Sequence, residues 1–195
     1  MLNINASEFA KIVSGQLHEI SESTILDQVP VINSKSATRS SFFVAFKGEQ
    51  VDGHNFVSEA INLGAKFALV SKPVAEPHVL VADTGKALID LAIYLRSKLP
   101  ELKIVGITGS QGKTTTKEFL NSILKLEGET VATAGNFNTD IGVPLTLLRC
   151  NEQTKFCILE MGARHSGDIA KLTKIAKPNV GVVLVVGSAH IGEFG

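Results

Sequence analysis

Apolar and polar positions alternate along this chain in blocks that predict strands and helices in turn. Three short runs rich in apolar and β-branched residues, 41–46, 104–108 and 156–159, indicate buried strands. Between the first two runs, Thr84 begins a segment with leucines at helical spacing, and Pro100 ends it. Strands that alternate with helices in this way predict parallel sheets with right-handed crossovers, and therefore an α/β fold.

The clearest change of pattern comes directly after Pro100. Residues 103–118 read KIVGITGSQGKTTTKE, in which a predicted strand runs into a glycine-rich turn and then into a predicted helix. This helix has apolar residues at helical spacing, namely Phe119, Leu120, Ile123, Leu124 and Leu126. We therefore divide the chain here and predict two α/β domains, residues 1–100 and residues 101–195.

The glycine turn has the composition of a phosphate-binding loop, or P-loop. Gly109 and Gly112 let several backbone N–H groups converge on a phosphate, and the helix N-terminus behind them adds about half a positive charge. Lys113 supplies an ammonium group for the β- and γ-phosphates, and the Thr114 hydroxyl is placed to ligate a phosphate-bound Mg²⁺. The predicted nucleotide-binding segment is Gly109, Ser110, Gln111, Gly112, Lys113, Thr114 and Thr115.

This loop departs from the general G-x-x-x-x-G-K-[ST] pattern at one position. Ile107 stands where the pattern has its first glycine, so the loop is a T-G-x-x-G-K-T variant. The alternative is an ordinary strand–turn–helix with a chance lysine. Because the strand, the turn and the helix all fall where the motif needs them, the sequence predicts binding of a nucleoside triphosphate.

Other polar side chains follow predicted strands at their carboxyl ends, where parallel sheets collect ligands. Asn138 and Thr139 follow one such strand, Glu160 ends the next, and His190 comes after the last. Glu160 is either an acidic metal ligand or a carboxylate at a surface turn. His190 is equally consistent with a turn histidine, and Asn138 and Thr139 are also common turn formers.

Composition restricts the kind of partner and the compartment. The chain has 195 residues, 44% hydrophobic and 19% charged, with a formal net charge of +0, so no broad basic surface for nucleic acid is implied. Cys150 and Cys157 have neither metal-ligand spacing nor the pattern of a disulfide framework, which fits a reducing cytoplasm. No signal-like apolar segment or run long enough to span a bilayer occurs, so we expect a cytoplasmic protein without membrane insertion.

Four segments resemble the Mur ligase family and occur in that family's order. They are TGSQGKTTTKE, GNFNTDIGVPLTLL, ILEMGARHSGDIAKL and GSAHIGEFG, while SFFVAFKGEQVDGHNF is similar to the family's uridine-nucleotide domain. The resemblance covers essentially the whole chain. It implies a small N-terminal α/β uridine-nucleotide domain followed by a truncated P-loop ATPase domain with a parallel sheet.

The resemblance implies an ATP-dependent amide ligase of peptidoglycan synthesis. In such a reaction a carboxylate of UDP-N-acetylmuramoyl-tripeptide attacks the γ-phosphate of ATP, which gives an acyl phosphate and ADP. The amine of D-alanyl-D-alanine then attacks the acyl phosphate and releases phosphate. The implied cofactors are ATP and Mg²⁺, and the implied partners are small molecules bound by a monomer.

Residue roles at the ATP end follow from the same resemblance. Lys113, Glu160 and His190 are the implied catalytic residues, with Lys113 neutralising charge on the transferring phosphoryl group. The implied metal ligands are Thr114, Glu160 and His190. Asn138 and Thr139 are implied to lie near the substrate and the γ-phosphate.

Five residues are implied at the UDP end, namely Ser34, Lys35, Gly48, Asp52 and His54. Where the family usually has Asp-Ser-Arg, this chain has Asn33-Ser34-Lys35, so a bidentate guanidinium contact is lost. Asp52 and His54 are also consistent with residues that only shape a tight turn.

The length departs from the family pattern. Mur ligases have a longer central domain and a third, C-terminal domain, and a sheet cut after so few strands leaves an open apolar edge. We therefore expect residues 1–100 to be the domain that binds the UDP precursor and residues 101–195 to be the first part of the ATP-binding domain. On this hypothesis the chain is a fragment without ligase activity.

Two kinds of alternative remain open. A MurE-type or folylpolyglutamate-synthetase-type ligase is one, although Met161-Gly162-Ala163 replaces the Ser-Ser-His run typical of the former, and the latter normally lacks SFFVAFKGEQVDGH. The other is a non-catalytic P-loop module that binds a nucleotide. Such a module would keep Lys113 but would need neither Glu160 nor His190.

Overall fold

The computed structural model describes residues 3–187, and these form two compact units. The first unit ends at Leu91 and the second begins at Ala92, so the division falls inside helix α3, Thr84–Lys98. The pattern-based boundary near Pro100 lies at the end of the same helix. The assignment of a separate function to each side of it stays a prediction.

Within residues 3–91, the first unit contains a mixed sheet with the strand order β2-β7-β6-β5-β4. Only β2 runs antiparallel to its neighbour, and β4 to β7 are parallel. The strands are β2 Gln16–His18, β4 Val29–Val31, β5 Ser41–Val44, β6 Ala68–Val70 and β7 His78–Leu80. The helices are α1 Ala6–Ile12 and α2 Val57–Asn62, and β1 Ile4–Asn5 pairs antiparallel with β3 Ile25–Leu26.

Strand β5 is buried along its whole length because both faces of the sheet are covered. Phe42 stacks on Phe67 with ring centroids 4.9 Å apart, and Phe9 of α1 meets both rings edge-on. Phe43 points to the other face and belongs to a core cluster with Val57 of α2. A continuous apolar run is what a strand between two such layers requires.

The second unit contains a parallel sheet with the strand order β11-β8-β10-β9, as far as residues 92–187 show. Its strands are β8 Lys103–Thr108, β9 Thr130–Ala132, β10 Phe156–Glu160 and β11 Val180–Val183. Its helices, besides the end of α3, are α4 Lys113–Leu124, α5 Gly142–Leu147 and α6 Asp168–Ala176. The predicted strand–turn–helix of the P-loop is therefore confirmed, and β8 lies between β10 and β11 in the sheet.

The helix predicted after the P-loop is confirmed as α4, but its apolar residues do not all face the core. Phe119, Ile123 and Leu126 are exposed, with Phe119 retaining 69% of its accessible surface. Only Lys117 is fully buried on this helix, and Leu120 and Leu124 are partly buried. The reason is geometric: positions 117, 120 and 124 share one helical face, whereas positions 119, 123 and 126 lie about 90–155° from the centre of that face around the axis.

Two further findings bear on the class of protein. No helix within residues 3–187 combines the length and hydropathy needed to cross a bilayer.

Cys150 and Cys157 are both buried and free. Contact with the Cys150 thiol together with burial raises the pKa of the Cys157 thiol.

Candidate functional site

The turn between β8 and α4 depends on two glycines with positive φ. Gly109 has φ +142° and Gly112 has φ +84°. Residues other than glycine rarely adopt these backbone conformations. A Cβ on Gly109 would lie 2.8 Å from the Cβ of Leu184, in the segment after β11. This glycine is therefore required by the close approach of a neighbouring segment, in addition to its expected role at a phosphate.

Some polar groups of the loop already form hydrogen bonds within the protein. The Ser110 N–H donates to the Val185 carbonyl at 2.8 Å, and the Ser110 hydroxyl accepts from the Gly187 N–H at 2.9 Å. The Lys113 ammonium donates to the Gly109 carbonyl of its own loop. Lys113 must therefore leave this carbonyl before it reaches a phosphate, and the Ser110 amide is directed at the segment after β11 rather than into the turn.

A cavity of about 810 Å³ opens beside this loop. Among the predicted residues, Gly109, Ser110, Lys113, Asn138 and Thr139 line it. Gln111, Gly112, Thr114 and Thr115 belong to the same turn and helix start and are exposed, but they do not line the cavity. The structure thus brings the P-loop and the 134–140 loop to one site, as the position of both after parallel strands predicts.

The backbone joins the 134–140 loop to the end of β10. The Gly162 N–H donates to the Asn138 carbonyl at 2.8 Å. A Cβ on Gly142 would lie only 2.2 Å from the carbonyl carbon of Phe137, so the loop packs directly against the first residue of α5. Backbone packing therefore holds Asn138 and Thr139, and the Thr139 hydroxyl adds a long hydrogen bond, 3.5 Å, from the Gly142 N–H.

Glu160 lies at the end of β10, opposite Ile107 of β8 in the parallel register. It is 2% exposed, so the alternative of a surface carboxylate is wrong. Its Oε2 accepts a hydrogen bond from the Thr114 hydroxyl at 3.3 Å, and its N–H donates to the Thr133 hydroxyl at 3.0 Å. Its Oε1 is buried and has no hydrogen-bond partner among the described residues.

Lys117 is the main residue of this site that the sequence analysis missed. Its ammonium donates to the Thr133 carbonyl at 3.0 Å and lies 2.7 Å from Glu118 Oε1 and 3.5 Å from Glu160 Oε1. Burial lowers the pKa of Lys117, but the two carboxylates outweigh burial and raise it above its ordinary value. A lysine three residues after Thr114, on the same helical face, was the available signal.

The residues near the P-loop fit a hard cation such as Mg²⁺. The Thr114 hydroxyl and the Glu160 carboxylate are oxygen donors of the kind Mg²⁺ prefers, and the buried carboxylate is not fully hydrogen-bonded by the described residues. Within residues 3–187, no three His, Cys, Asp or Glu side chains form a metal-binding cluster. Further ligands would therefore be phosphate oxygens, water or residues beyond this range; His190, predicted as a ligand, lies outside the described residues.

The far wall of the cavity carries charged residues from α6 and the segment before it, which the sequence analysis did not single out. Arg164, His165, Asp168 and Lys171 line it. The Asp168 carboxylate accepts from the N–H groups of Arg164 and His165 at 2.9 and 2.8 Å, and these two bonds lower its pKa. The cavity therefore has cationic side chains on two walls, Lys113 on one and Arg164 with Lys171 on the other.

The first unit has its own cavity, of about 610 Å³, at the carboxyl ends of β4 and β5. The predicted residues Ser34, Lys35 and Gly48 line it, together with Phe43, Phe46, Val51 and Phe56. The buried Ser34 hydroxyl donates to the Glu59 carboxylate, which also lines the cavity. Three phenylalanines, Ile32 and Val51 thus form an apolar part of the wall, and Asn33, Ser34, Lys35 and Glu59 form a polar part.

Asp52 and His54 do not line this cavity; they hold the loop that does. His54 Nδ1 contacts Asp52 Oδ1 at 2.6 Å, and His54 Nε2 accepts from the Ser71 N–H at 2.9 Å. Lys72 binds the other Asp52 oxygen at 2.7 Å, and this bond, followed by those from His54, lowers the pKa of Asp52. We call these four residues, Asp52, His54, Ser71 and Lys72, the loop latch. Both ring nitrogens of His54 are engaged, so a direct contact with a ligand stays a prediction.

A strand, a glycine turn with Lys113 and Thr114, and a helix on a parallel sheet define an α/β domain of the P-loop nucleotide-binding class. Comparison with known families agrees in detail. The family description "Mur ligase middle domain" matches residues 107–195, and "Mur ligase family, catalytic domain" matches residues 31–95. The chain belongs to the Mur ligase family.

Curated relatives are similar over the whole chain. The UDP-N-acetylmuramoyl-tripeptide–D-alanyl-D-alanine ligase of Escherichia coli K12 is 38% identical across 100% of this chain and 43% of its own length. The protein of the same name from Mycobacterium tuberculosis H37Rv is 36% identical across 100% of this chain and 44% of its own length. The chain thus spans less than half the length of these relatives.

Solved structures have the same fold. A crystal structure of MurF from Acinetobacter baumannii matches with a TM-score of 0.87 and 38% identity, over 100% of this chain and 44% of that one. The MurF ligase of Thermotoga maritima in complex with ADP matches with a TM-score of 0.72 and 40% identity, over 85% of this chain and 39% of that one. These matches confirm the predicted α/β fold class with its P-loop sheet.

Proposed function

We propose that this chain provides the ATP-binding and UDP-precursor-binding parts of a ligase that joins D-alanyl-D-alanine to UDP-N-acetylmuramoyl-tripeptide. The observation that carries the proposal is the P-loop with Lys113, its Thr114 hydroxyl bonded to buried Glu160, in a chain whose relatives carry that ligase name. A non-catalytic nucleotide-binding module would not need a buried carboxylate at the P-loop. The MurE-type alternative has weaker support, since a diaminopimelate ligase matches at only 14% identity and shares the fold alone.

The reaction proceeds in two displacements. A carboxylate oxygen of the UDP-linked tripeptide attacks the γ-phosphorus of ATP, so that an acyl phosphate forms and ADP leaves. The free amine of D-alanyl-D-alanine then attacks the acyl carbon, loses a proton and displaces inorganic phosphate, which leaves a new amide bond. This activity belongs to the peptidoglycan precursor pathway in the cytoplasm, and we propose that the protein acts there as a monomer on small molecules.

At the ATP end, the protein supplies positive charge where the phosphoryl group is transferred. Lys113 leaves the Gly109 carbonyl and neutralises the β- and γ-phosphates, while the amides of the turn around Gly112 bind the phosphate oxygens. Asn138 and Thr139 line the same cavity and orient the γ-phosphate and the attacking carboxylate. Arg164 and Lys171 on the opposite wall attract the anionic precursor.

Thr114 and Glu160 are the described residues that would hold Mg²⁺, with His190 as a further ligand implied by the family. A bound Mg²⁺ would supply charge neutralisation at the phosphates. Glu160 is suited to this task because it is fixed at the end of β10 and offers oxygen donors beside the P-loop.

At the UDP end, the aromatic cavity of the first unit binds the uridine nucleotide. Phe46 and Phe56 provide apolar walls for the planar base, and Ser34 together with Lys35 provides polar contacts. The loop latch sets the position of Gly48 and Val51 by holding their loop against the end of β6. Asp52 and His54 therefore act through the loop.

Calorimetric titration of the 195-residue chain tests the proposal with two ligands, Mg-ATP and UDP-N-acetylmuramoyl-tripeptide. Lys113→Ala should weaken Mg-ATP binding by at least about tenfold, the loss of one charge-assisted contact, and leave precursor binding unchanged. Ser34→Ala should have the opposite selectivity. Lys125→Ala, at the exposed far end of α4, is the control for loss of a lysine.

The outcomes of the titration distinguish the ligase assignment from the alternatives. Two ligands with two separately sensitive sites support the ligase assignment. Mg-ATP binding without precursor binding would favour the non-catalytic P-loop module. An equal loss of both ligands in Lys113→Ala would contradict the assignment of one ligand to each cavity.

A further inference from the structure

The carboxylate of Glu160 is contacted on its two oxygens by two residues one turn apart on α4. The Thr114 hydroxyl contacts Oε2 at 3.3 Å, and the Lys117 ammonium contacts Oε1 at 3.5 Å. Residues three apart on a helix share a face, so these contacts come from a single rigid element. The carboxylate plane is thereby fixed with Oε2 on the P-loop side.

The Lys117 ammonium also joins three elements of the sheet edge. It is 4% exposed, and besides Glu160 it binds the Thr133 carbonyl at 3.0 Å, directly after β9. The Thr133 hydroxyl in turn accepts from the Glu160 N–H at 3.0 Å. One buried cation on α4 therefore ties the end of β9, where the 134–140 loop begins, to the end of β10.

Lys117 does not neutralise its two carboxylate partners completely. Lys117 is paired with two carboxylates, Glu118 at 2.7 Å and Glu160 at 3.5 Å, so one net negative charge remains. The Glu118 side chain is 60% exposed, while that of Glu160 is 3% exposed and lies beside the P-loop hydroxyl. Lys117 lies closer to the solvent-exposed carboxylate of Glu118 than to that of Glu160, and Glu160 Oε1 has no hydrogen bond among the described residues.

We propose that Lys117 is a positioning residue for the divalent cation of the nucleotide site, because it orients Glu160 so that Oε2 is presented to the metal beside Thr114. The inference rests on the proposed function, since it presumes that a metal–nucleotide complex binds here. Residues that orient metal ligands typically change metal affinity by about 10–100-fold when replaced. Lys117 acts through Glu160 and does not itself touch the nucleotide.

The test compares ATP binding in the presence of EDTA with ATP binding in the presence of Mn²⁺, and follows the bound Mn²⁺ by electron paramagnetic resonance. The ratio of the two affinities is the metal enhancement. Lys117→Met removes the charge at similar length, and we expect it to lower the metal enhancement by about tenfold or more. Binding in EDTA should stay within about threefold of wild type, since Lys113 and the loop amides are unchanged.

Charge repulsion alone predicts the opposite change in metal enhancement for Lys117→Met. Removal of a positive charge near a cation site should strengthen Mn²⁺ binding by reducing repulsion. A larger metal enhancement in Lys117→Met would therefore overturn the proposal. An unchanged enhancement with lower thermal stability would also overturn it, because Lys117 would then have only a structural role.

A double variant with Glu160→Gln tests whether Lys117 acts through Glu160. In the Glu160→Gln background, Lys117→Met should cause no further loss of metal enhancement, whereas additive losses would contradict action through Glu160.

Two further variants keep the result decisive. If Lys117→Met unfolds at the assay temperature, Lys117→Arg replaces it, because the guanidinium retains the charge but has a different shape and donor geometry. We expect Lys117→Arg to lower the enhancement while binding in EDTA persists, and full enhancement would overturn the proposal. Lys125→Met is the control on the exposed end of the helix. A wild-type chain that binds no ATP under either condition would overturn the proposed function itself, which distinguishes that failure from this one.

Discussion

The two cavities lie in equivalent places, at the carboxyl ends of parallel strands, yet their walls differ in kind. The cavity of the first unit is lined by Phe43, Phe46 and Phe56, whereas that of the second is lined by Lys113, Arg164 and Lys171. Aromatic walls favour a flat, weakly charged group, and cationic walls favour a polyphosphate. One sheet architecture thus supports two recognition chemistries, decided by the loops after the strands.

The two units also hold their loops differently. The first unit uses the loop latch, in which Asp52 is partly exposed and its partner Lys72 is exposed. The second uses the buried Lys117 and Glu160 together with the tight packing of Gly142 on Phe137. We therefore expect the first loop to respond to pH and the second to respond mainly to changes in packing.

The largest effect should come from a matched pair of phenylalanines. Phe9 is fully buried against two rings, so Phe9→Ala should lower the free energy of unfolding of the first unit by about 3–5 kcal/mol. Phe119 is 69% exposed, so Phe119→Ala should change the stability of the second unit by no more than about 0.5 kcal/mol. Denaturant unfolding of both variants measures the difference. Similar losses would show that the exposed face of α4 is covered in solution.

A glycine pair tests the packing of the second loop. A methyl group on Gly142 would meet the Phe137 backbone at 2.2 Å, so Gly142→Ala should cost about 1–3 kcal/mol and weaken Mg-ATP binding by displacing the 134–140 loop. A methyl group on Gly181 of β11 would meet nothing within 4 Å, and Gly181→Ala should be close to neutral. Thermal melts and ATP titration measure both effects. Tight binding by Gly142→Ala would mean that the loop can move without affecting the nucleotide.

The smallest effect should be the acid response of the loop latch. Because Lys72 and His54 lower the pKa of Asp52 in the folded protein, the stabilisation from its carboxylate is present above the ordinary value of 3.8 and is lost as the pH falls below it. Asp52→Asn should therefore lower the melting temperature of the first unit at neutral pH and reduce its decline in acid. Asp140→Asn, in the second unit, controls for loss of a carboxylate. If the melting temperatures of wild type and Asp52→Asn fall in parallel as the pH is lowered, the Asp52 carboxylate does not stabilise the loop.

Local patterns were enough to predict the elements and the P-loop. The strand 104–108, the glycines at 109 and 112 and the helix behind them follow from short-range rules on burial, turn geometry and helical spacing, and each element appears in the structure. The same rules left the orientation of α4 open, because helical spacing does not specify the side of the helix that meets the sheet. Phe119 and Ile123 face away, and Lys117 faces inward.

The site depended on contacts between residues far apart in the chain. Glu160 reaches Thr114 only because β10 pairs beside β8 in a register that sets Glu160 opposite Ile107. Nothing in the local pattern distinguishes Lys117 from other lysines on helices. Its role depends on contacts with two carboxylates and one carbonyl, which only the fold brings together. The predicted ligand contact of Asp52 and His54 stays a prediction, and the structure adds that both side chains bond within the loop latch.

The sequence by itself determined the fold class, the order of strands and helices, the P-loop and the family. These are encoded in residues that are neighbours along the chain, where periodicity and glycine placement act directly. Only the tertiary structure decided the orientation of α4, the walls of each cavity and the partners of Glu160. Such contacts join separate strands and helices, and their free energies depend on register and burial, which no local pattern specifies.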